Sequence, residues 1–303
     1  MTLRHLLEID DLGADEIATI LDLSEKPPIR ALDGRGVALI FEKPSLRTRH
    51  SAEMAVAQLG GHPAYISNAE ISIGNRETTE DITRTLQGYY HVIAARVFDH
   101  GHLERMVSVA EVPIINLLSD SGHPVQALAD LLTIRQHVGP LDRVTIGWVG
   151  DFSNVARSLA LGAAALGAKL RICTPPGYGP TDADLDRLAA VAAGTASVAV
   201  FDRPSDAVDG VQVVSTDAWY SMGQEAQREE RHRAFEGFQI DSALMNRAAH
   251  NAVFLHCLPA HRGEEATSAV LDSGQSRIWP QAHNRLHTFR GLLMWLFENG
   301  AIR

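Results

Sequence analysis

The chain has 303 residues, of which 45% are hydrophobic and 21% are charged, and its formal net charge is −10. This composition is typical of a globular protein, and the acidic balance disfavours nucleic acids and anionic membranes as partners. The only cysteines, Cys173 and Cys257, lack metal-ligand spacing and indicate a reducing compartment. Because the N-terminus resembles neither a signal peptide nor a transit peptide, we expect a cytoplasmic protein.

Short apolar runs rich in β-branched residues alternate along the chain with longer segments of helical period. Strands are predicted at residues 37–41, 144–149, 170–173 and 253–256, and helices at 51–59, 79–90, 125–137 and 154–166. This alternation is typical of parallel α/β sheets. Turn residues at 139–142 separate the two halves. We therefore predict two doubly wound parallel-sheet domains of similar size, residues 1–138 and 139–285.

Hydroxyl and guanidinium groups follow the strand that ends at Phe41, directly before a predicted helix. Such a helix start favours an anion through its free N–H groups, its dipole and its charged donors. The candidate phosphate ligands are Ser45, Arg47 and Thr48. The same residues also suit an ordinary helix cap with solvated arginines, and this segment alone does not separate the two interpretations.

The segment Phe41-Glu-Lys-Pro-Ser-Leu-Arg-Thr-Arg-His50 resembles the Ser-x-Arg-Thr motif of the aspartate and ornithine carbamoyltransferases. The resemblance continues in order along nearly the whole chain. It implies that the phosphate of carbamoyl phosphate is held by Ser45, Leu46, Arg47 and Thr48. Position 46 is usually Ser or Thr in the family, and a contact through the backbone would tolerate Leu46.

Four more residues match family positions that contact carbamoyl phosphate: Arg96, His123, Gln126 and Arg285. An arginine can bridge the phosphate and the carbonyl oxygen, a histidine can donate to that carbonyl, and a glutamine can bind the carbamoyl amide. Taken alone, His123 before Pro124 is also an ordinary helix start. The interpretation as a carbamoyl phosphate site depends on the occurrence of all four residues in the order that the family has.

The segment from Gly147 to Asn154 could be mistaken for a dinucleotide-binding turn. The Gly-x-Gly-x-x-Gly spacing is absent, Asp151 would repel a pyrophosphate, and the next strand ends without a ribose-binding acid. We therefore expect no NAD. The family resemblance instead implies that Asn154 contacts the second substrate.

Two later motifs are similar to those of the ornithine branch. The Ser-Met-Gly loop implies that Asp217 and Ser221 meet the amino-acid end of ornithine, with Met222 in the same closing loop. The motif His-Cys-Leu-Pro has Cys257 where the aspartate branch has proline, which implies that Cys257 and Leu258 lie at the reacting groups. A buried free cysteine would otherwise more often be inert packing.

The resemblance implies transfer of the carbamoyl group of carbamoyl phosphate to the δ-amine of L-ornithine, which gives L-citrulline and phosphate in arginine metabolism. No metal or organic cofactor is expected. The implied catalytic residues are Arg96, His123, Asp217 and Cys257. The family also implies that the helix of residues 286–303 packs back on the first domain.

A homotrimer with active sites near the subunit interfaces is a further implication of the resemblance. In that assembly the loop of residues 71–77 would reach the neighbouring subunit's site. Ser72 stands there where the family usually has an amide or an imidazole.

Other functions remain open from the sequence. Within the same class, the acceptor could be aspartate, putrescine or an acylated ornithine, and the two ornithine-type motifs argue most strongly against aspartate. From other classes, the chain could be a non-catalytic subunit that binds carbamoyl phosphate or an amino acid, although every expected type of ligand residue is present. A sequestering partner of another enzyme is a third possibility, for which the sequence offers no feature.

Overall fold

The computed structural model describes residues 3–220 and 225–302. The chain divides into two compact units, one formed by Met1–Ala129 with His283–Arg303 and the other by Asp130–Ala282. Each unit contains a parallel sheet with helices, so the predicted fold class is confirmed. The domain boundaries drawn from the sequence stay a prediction.

The first unit is built on a four-stranded parallel sheet with the strand order β2-β1-β3-β4. Its strands are β1 (Gly36–Phe41), β2 (His62–Ser67), β3 (Val92–Arg96) and β4 (Ile114–Leu118). Its helices are α1 (Ala14–Glu25), α2 (Leu46–Gln58), α3 (Asn68–Ile71), α4 (Thr79–Leu86) and α5 (Gly101–Val109), with a 3₁₀ turn at Ile9–Asp11. The helix α6 (Pro124–His137) begins in this unit and continues into the second. Strand β1 is an apolar run buried on both faces, as expected for a central parallel strand.

The second unit is built on a five-stranded parallel sheet with the strand order β7-β6-β5-β8-β9. Its strands are β5 (Thr145–Val149), β6 (Lys169–Cys173), β7 (Ser197–Phe201), β8 (Val213–Thr216) and β9 (Val253–His256). Its helices are α7 (Asn154–Ala165), α8 (Asp182–Val191), α9 (Pro204–Val208), α10 (Arg228–Ala234), α11 (Ser242–Met245) and α12 (Ser268–Leu271). Short 3₁₀ turns lie at Leu141–Arg143 and Glu225–Gln227. Val214 and Phe254 contribute to the core that this sheet shares with its helices.

The last helix, α13 (Ile278–Glu298), returns the chain to the first unit, where it packs on α1. Arg290 donates hydrogen bonds to the carbonyl oxygens of Ser24 and Lys26. Gly291 lies so close to α1 that a Cβ atom would come within 2.7 Å of the Ile20 carbonyl oxygen. The predicted return of the C-terminal helix is therefore confirmed, although the helix begins earlier than residue 286.

The predicted elements agree with the observed ones at most boundaries. The clearest difference is α2, which begins at Leu46 and not at Ser51, because Ser45 caps the helix. The helix predicted at 79–90 ends at Leu86, shortly before Gly88. None of the helices in the described part of the chain is long and apolar enough to cross a membrane.

Candidate active site

Three loops of the first unit emerge at one edge of its sheet. Phe41 at the end of β1 is in register with Arg96 at the end of β3, and Arg96 pairs with Leu118 at the end of β4. Because parallel strands place their carboxyl ends at the same edge, the segments after these strands lie close together. This arrangement brings the start of α2, Arg96 and the segment before α6 to one place.

The start of α2 has the geometry of a capped helix end. Ser45 is the N-cap in an extended conformation, and its hydroxyl accepts a hydrogen bond from the Thr48 N–H at 3.3 Å. Leu46, the first residue of the helix, is 71% exposed. Thr48 is buried, whereas Arg47 is half-buried. The structure therefore contains the ordinary cap, and that cap also presents N–H groups and a cation.

Arg285 bonds two other residues that are predicted to bind carbamoyl phosphate, and all three lie in the first unit. It is buried in α13 and donates to the Thr48 hydroxyl at 3.0 Å. It also donates to the side-chain oxygen of Gln126. Thr48, Gln126 and Arg285 are thus brought together although they lie far apart in the sequence.

His123 lies at the start of α6 among several cations. Burial lowers the pKa of His123 well below its ordinary value of 6.5, and Arg285, Arg96 and Arg47 lower this pKa further. The imidazole is therefore neutral at neutral pH, so one ring nitrogen carries a proton and the other is an acceptor. The same cations create a positive field, which favours a phosphate.

The turn before His123 is fixed by a buried polar network. Asn116 donates to the carbonyl oxygens of Leu7 and Gly122 and to the hydroxyl of Ser119. The Gly122 N–H donates back to the Ser119 hydroxyl at 3.3 Å. A Cβ atom at position 122 would lie 2.3 Å from a carboxylate oxygen of Glu8, which explains the glycine. The network holds the backbone that leads into His123.

In the second unit, Asp217 and Cys257 are direct neighbours. Thr216 at the end of β8 is in register with His256 at the end of β9, so the next residues of both strands emerge side by side. The Cys257 thiol donates to a carboxylate oxygen of Asp217 at 3.1 Å. Both side chains are half-buried, which leaves them accessible to a small molecule.

The backbone around Cys257 is held by His256. Leu258 has a φ of 61° and is followed by a cis peptide bond to Pro259. The Leu258 N–H donates to Nδ1 of His256 at 2.8 Å, so the proton of this imidazole resides on Nε2, which contacts Glu265 at 3.0 Å. Both ring nitrogens of His256 are thus occupied by hydrogen bonds.

Three further residues are predicted from the sequence to contact the second substrate, and the structure describes only one of them. Asn154 is the first residue of α7, next to the N-cap Ser153, and is half-buried. Ser221 and Met222 lie outside the described residues, so their predicted roles stay predictions.

The sequence interpretation missed three charged residues near these clusters. Lys43 follows β1, and burial together with Arg96 lowers the pKa of its amine. Burial raises the pKa of Asp151, against the effect of a 2.7 Å hydrogen bond from Arg231. Arg231 also donates to the Trp219 carbonyl oxygen at 2.7 Å. Only Lys43 had a usable sequence signal, since it stands two residues before the cap Ser45.

Two family models match the two halves of the chain. Residues 4–136 match the carbamoyl-P binding domain of aspartate/ornithine carbamoyltransferase, and residues 142–296 match its Asp/Orn binding domain. The chain belongs to the aspartate/ornithine carbamoyltransferase family. In the terms of this family, Arg96 and His123 lie in the carbamoyl-P binding domain. Arg285 and the pair Asp217 and Cys257 lie in the residues matched by the Asp/Orn binding domain.

Individual relatives of this carbamoyltransferase are similar over almost their whole length. The ornithine carbamoyltransferase of Haloquadratum walsbyi is 44% identical over 298 residues, which cover 97% of this chain and 98% of that one. The ornithine carbamoyltransferase of Acidothermus cellulolyticus is 45% identical, with 98% and 97% covered. The solved structure of ornithine carbamoyltransferase from Pyrococcus furiosus has a TM-score of 0.92 at 42% identity, with 97% of each chain covered.

Among residues 3–220 and 225–302, two groups of side chains have the composition of metal sites. One group is Asp217, His256 and Cys257, and the other is His261, Glu264 and Glu265. The hydrogen bonds on both ring nitrogens of His256 leave this imidazole no lone pair for a metal. Only the second group therefore suits a cation.

Proposed function

We propose that the chain transfers the carbamoyl group of carbamoyl phosphate to the δ-amine of L-ornithine, with L-citrulline and phosphate as products. The family membership supports carbamoyl phosphate as the donor. The relatives named ornithine carbamoyltransferase support ornithine as the acceptor. The single observation that carries the choice of acceptor is the Cys257 thiol bonded to Asp217, because a proline at position 257 could not make this contact.

The first unit is proposed to hold the phosphate of the donor at the start of α2. The ligands would be the Ser45 and Thr48 hydroxyls, the Leu46 backbone, and the guanidinium groups of Arg47 and Arg285. Arg285 already donates a hydrogen bond to the Thr48 hydroxyl at 3.0 Å, so the guanidinium and the hydroxyl are in place before the anion binds. A helix N-terminus and two guanidinium groups suit a dianion.

The carbamoyl end of the donor is proposed to contact Arg96, His123 and Gln126, together with Cys257 and the Leu258 backbone. A neutral His123 can donate one N–H to the carbonyl oxygen without adding a further cation. The carbonyl oxygen gains negative charge as the amine attacks, and fixed donors at that position stabilise the transition state most. These donors supply the electrostatic part of the catalysis.

The second unit is proposed to hold ornithine through Asn154, Asp217, Ser221 and Met222. The carboxylate of Asp217 can accept hydrogen bonds from an ammonium group of ornithine. The amide of Asn154 and the hydroxyl of Ser221 can donate to the carboxylate of ornithine. Cys257 would lie beside the δ-amine. An acceptor without the amino-acid end would lose these contacts, which is why putrescine is expected to be poor.

The reaction forms one bond and breaks one. The neutral δ-amine attacks the carbonyl carbon, a C–N bond forms, and the tetrahedral species then expels phosphate as the C–O bond breaks. The proton released by the amine leaves with the phosphate. A free alkyl amine has a pKa of about 10, so the site must favour its neutral form. Asp217 and Cys257 are proposed to orient the amine while it loses its proton.

The proposed assembly is a cytoplasmic homotrimer whose active sites lie near the subunit interfaces. In this assembly the loop of residues 71–77 would reach the neighbouring subunit's site; within the chain, an isolated bridge between Ile73 and Glu77 closes this loop, and Gly74 has a φ of 75°. This closed loop presents Ser72 at a φ of 45°. Light scattering of the purified chain at several concentrations tests the trimer.

A steady-state assay across acceptors tests the function. The purified chain is supplied with carbamoyl phosphate and, in parallel, with ornithine, putrescine, an N-acylornithine or aspartate. The expected result is that kcat/KM is highest for ornithine and that the product is citrulline. A higher kcat/KM for any other acceptor would reassign the substrate, and no product with any acceptor would contradict catalysis.

A further inference from the structure

Four side chains of the second unit converge at a place that the proposed reaction does not use. His232 belongs to α10, and His261, Glu264 and Glu265 belong to the turn after β9. The Nε2 atom of His232 lies 3.3 Å from Oε2 of Glu264. The Nδ1 atom of His261 lies 3.5 Å from the same oxygen. It also lies 4.0 Å from Oε2 of Glu265.

All four converging atoms are shielded from solvent. Within residues 3–220 and 225–302, none of these four atoms has a hydrogen-bond partner. The residue Glu265 is 0% exposed, and its Oε2 atom points toward His261. Buried polar atoms in folded proteins nearly always have a partner. One Glu264 oxygen faces both imidazoles and one Glu265 oxygen faces His261, an arrangement of nitrogen and oxygen atoms that is suited to a shared cation.

The other oxygen of each carboxylate is already engaged. Oε1 of Glu264 accepts a hydrogen bond from Arg228 at 2.8 Å. Oε1 of Glu265 contacts Nε2 of His256 at 3.0 Å and accepts a hydrogen bond from the backbone N–H of His261 at 2.6 Å. Metal-binding carboxylates are commonly oriented by such outer hydrogen bonds. Each carboxylate therefore directs one oxygen into the cluster.

We propose that His232, His261, Glu264 and Glu265 form a zinc-binding site. Zinc binds histidine nitrogen and carboxylate oxygen at about 2.0–2.2 Å, which places the ligand atoms of a tetrahedron roughly 3.3–3.6 Å apart. The two contacts to Glu264, at 3.3 and 3.5 Å, have this spacing. The 4.0 Å contact must shorten, and His232 must move toward the group formed by His261, Glu264 and Glu265, whose ligand atoms already lie within 4.8 Å of one another.

The composition of the site selects the metal. Imidazole ligands suit zinc and other borderline transition metals, whereas calcium and magnesium prefer oxygen ligands alone. Two carboxylates also balance the charge of one divalent ion when the imidazoles are neutral. Four protein ligands leave no open position, so the metal would be structural rather than catalytic.

The site would hold the segment that follows Asp217. The Tyr220 ring stacks on the His261 ring, with centroids 4.8 Å apart and planes at 20°. The Trp219 ring meets the His232 ring edge to face at 5.5 Å. Because both rings pack on proposed ligands, zinc would fix Trp219 and Tyr220, and with them the backbone that leads from Asp217.

Metal content and metal affinity test this proposal without reference to carbamoyl transfer. The intact protein is freed of metal with a chelator, dialysed and titrated with zinc chloride by calorimetry, and the bound zinc is counted by mass spectrometry. We expect one zinc per chain. His232→Ala and His261→Ala should each weaken zinc binding at least about tenfold, a loss that removal of even an outer partner commonly causes.

Two control variants make the assignment specific. His250→Ala removes an exposed histidine of the same unit, and Cys257→Ser removes the half-buried thiol; both should bind zinc as the unmodified chain does. X-ray absorption should give a shell of nitrogen and oxygen only. The proposal is overturned by less than one zinc per chain, by sulfur in the shell, or by equal binding in His232→Ala. Such results would leave His232 and His261 as ion-pair partners of Glu264.

Discussion

The Cys257 thiol donates a hydrogen bond to the Asp217 carboxylate at 3.1 Å. These residues lie forty positions apart, and the register of Thr216 with His256 brings them together. The contact lies at the carboxyl edge of a parallel sheet, where such folds bind their ligands. It gives the second unit a paired acid and thiol, which we propose to receive the amine of the acceptor.

Replacement of Cys257 should therefore slow the chemical step. Cys257→Ala removes a hydrogen bond to a charged group, which is worth about 1.5–3 kcal/mol, so kcat should fall about 10- to 100-fold. The pH at which kcat is half-maximal should also move, because Cys257 is proposed to orient the δ-amine while it loses its proton. Steady-state assays from pH 6 to 10 measure both effects.

Cys173→Ala is the matched control for this variant. Burial, with added effects of Asp202 and Asp206, raises the pKa of the Cys173 thiol to about 12, so the group stays protonated. This variant should keep the kcat and pH profile of the unmodified chain. An unchanged kcat in Cys257→Ala would contradict the proposed role of the thiol.

Arg285 should contribute to the binding of carbamoyl phosphate rather than to the binding of ornithine. Lysine keeps the charge but lacks the planar fork with which Arg285 bonds Thr48 and Gln126 together. Arg285→Lys should lower kcat/KM for carbamoyl phosphate about 100- to 1,000-fold, as the loss of one fixed donor does. The KM for ornithine should change far less.

Kinetics with each substrate varied in turn measure the effect of Arg285→Lys. Arg277→Lys is a suitable control, because Arg277 bonds only the carbonyl oxygens of Gly274 and Ser276 among the contacts that the structure describes. Equal losses for the two substrates would argue against a donor-specific role for Arg285.

His123 should make the folded state sensitive to acid. Because burial and nearby arginines lower the pKa of His123 in the folded protein, the unfolded chain takes up this proton first as the pH falls. The contribution of neutral His123 is fully present above pH 6.5 and declines below it. Relative to His123→Gln, the chain should lose up to about 1.4 kcal/mol of unfolding free energy per pH unit below 6.5.

Urea denaturation at pH 7.5 and at pH 5 measures this difference. His5, His137 and His287 also have lowered pKa values, but they are present in both proteins and cancel in the comparison. The same dependence on pH in both proteins would mean that His123 is not held neutral.

Gly291 should be needed for the packing of α13 on α1. A Cβ atom there would lie 2.7 Å from the Ile20 carbonyl oxygen and 2.9 Å from the Ser24 nitrogen, and backbone atoms cannot move aside easily. Gly291→Ala should lower the free energy of unfolding by about 1–3 kcal/mol. Gly274→Ala, whose Cβ would meet no described atom within 4 Å, should change it by less than about 0.5 kcal/mol. Similar urea midpoints for the two variants would contradict the close contact.

The sequence predicted strands β1, β5, β6 and β9 because their signal is local. Strand β1 is a continuous apolar run, which is typical of a buried parallel strand, and β9 is apolar over its first three residues. Strand β2 was missed, since it lies at the edge of its sheet and its sequence includes His62 and Pro63. Strands β4 and β8 were not predicted either. The start of α2 was placed late because Leu46 and Arg47 gave no apolar period.

The candidate site was predicted where a motif is contiguous and missed where contacts are long-range. Ser45, Arg47 and Thr48 stand together in the sequence, and so do Cys257 and Leu258. The bond from Arg231 to Asp151 joins residues eighty positions apart with no local signal. His232 and His261 lack any metal-ligand spacing, so their convergence on Glu264 became visible only in the folded chain.

A competition experiment tests the central claim most directly. The purified chain is mixed with carbamoyl phosphate labelled with ¹³C at the carbonyl carbon, and with ornithine and aspartate at equal concentrations. Nuclear magnetic resonance then follows the labelled carbon. The account predicts that the enzyme-dependent signal appears in the ureido carbon of citrulline. Label in carbamoyl aspartate, or only in the products of spontaneous donor breakdown, would contradict it.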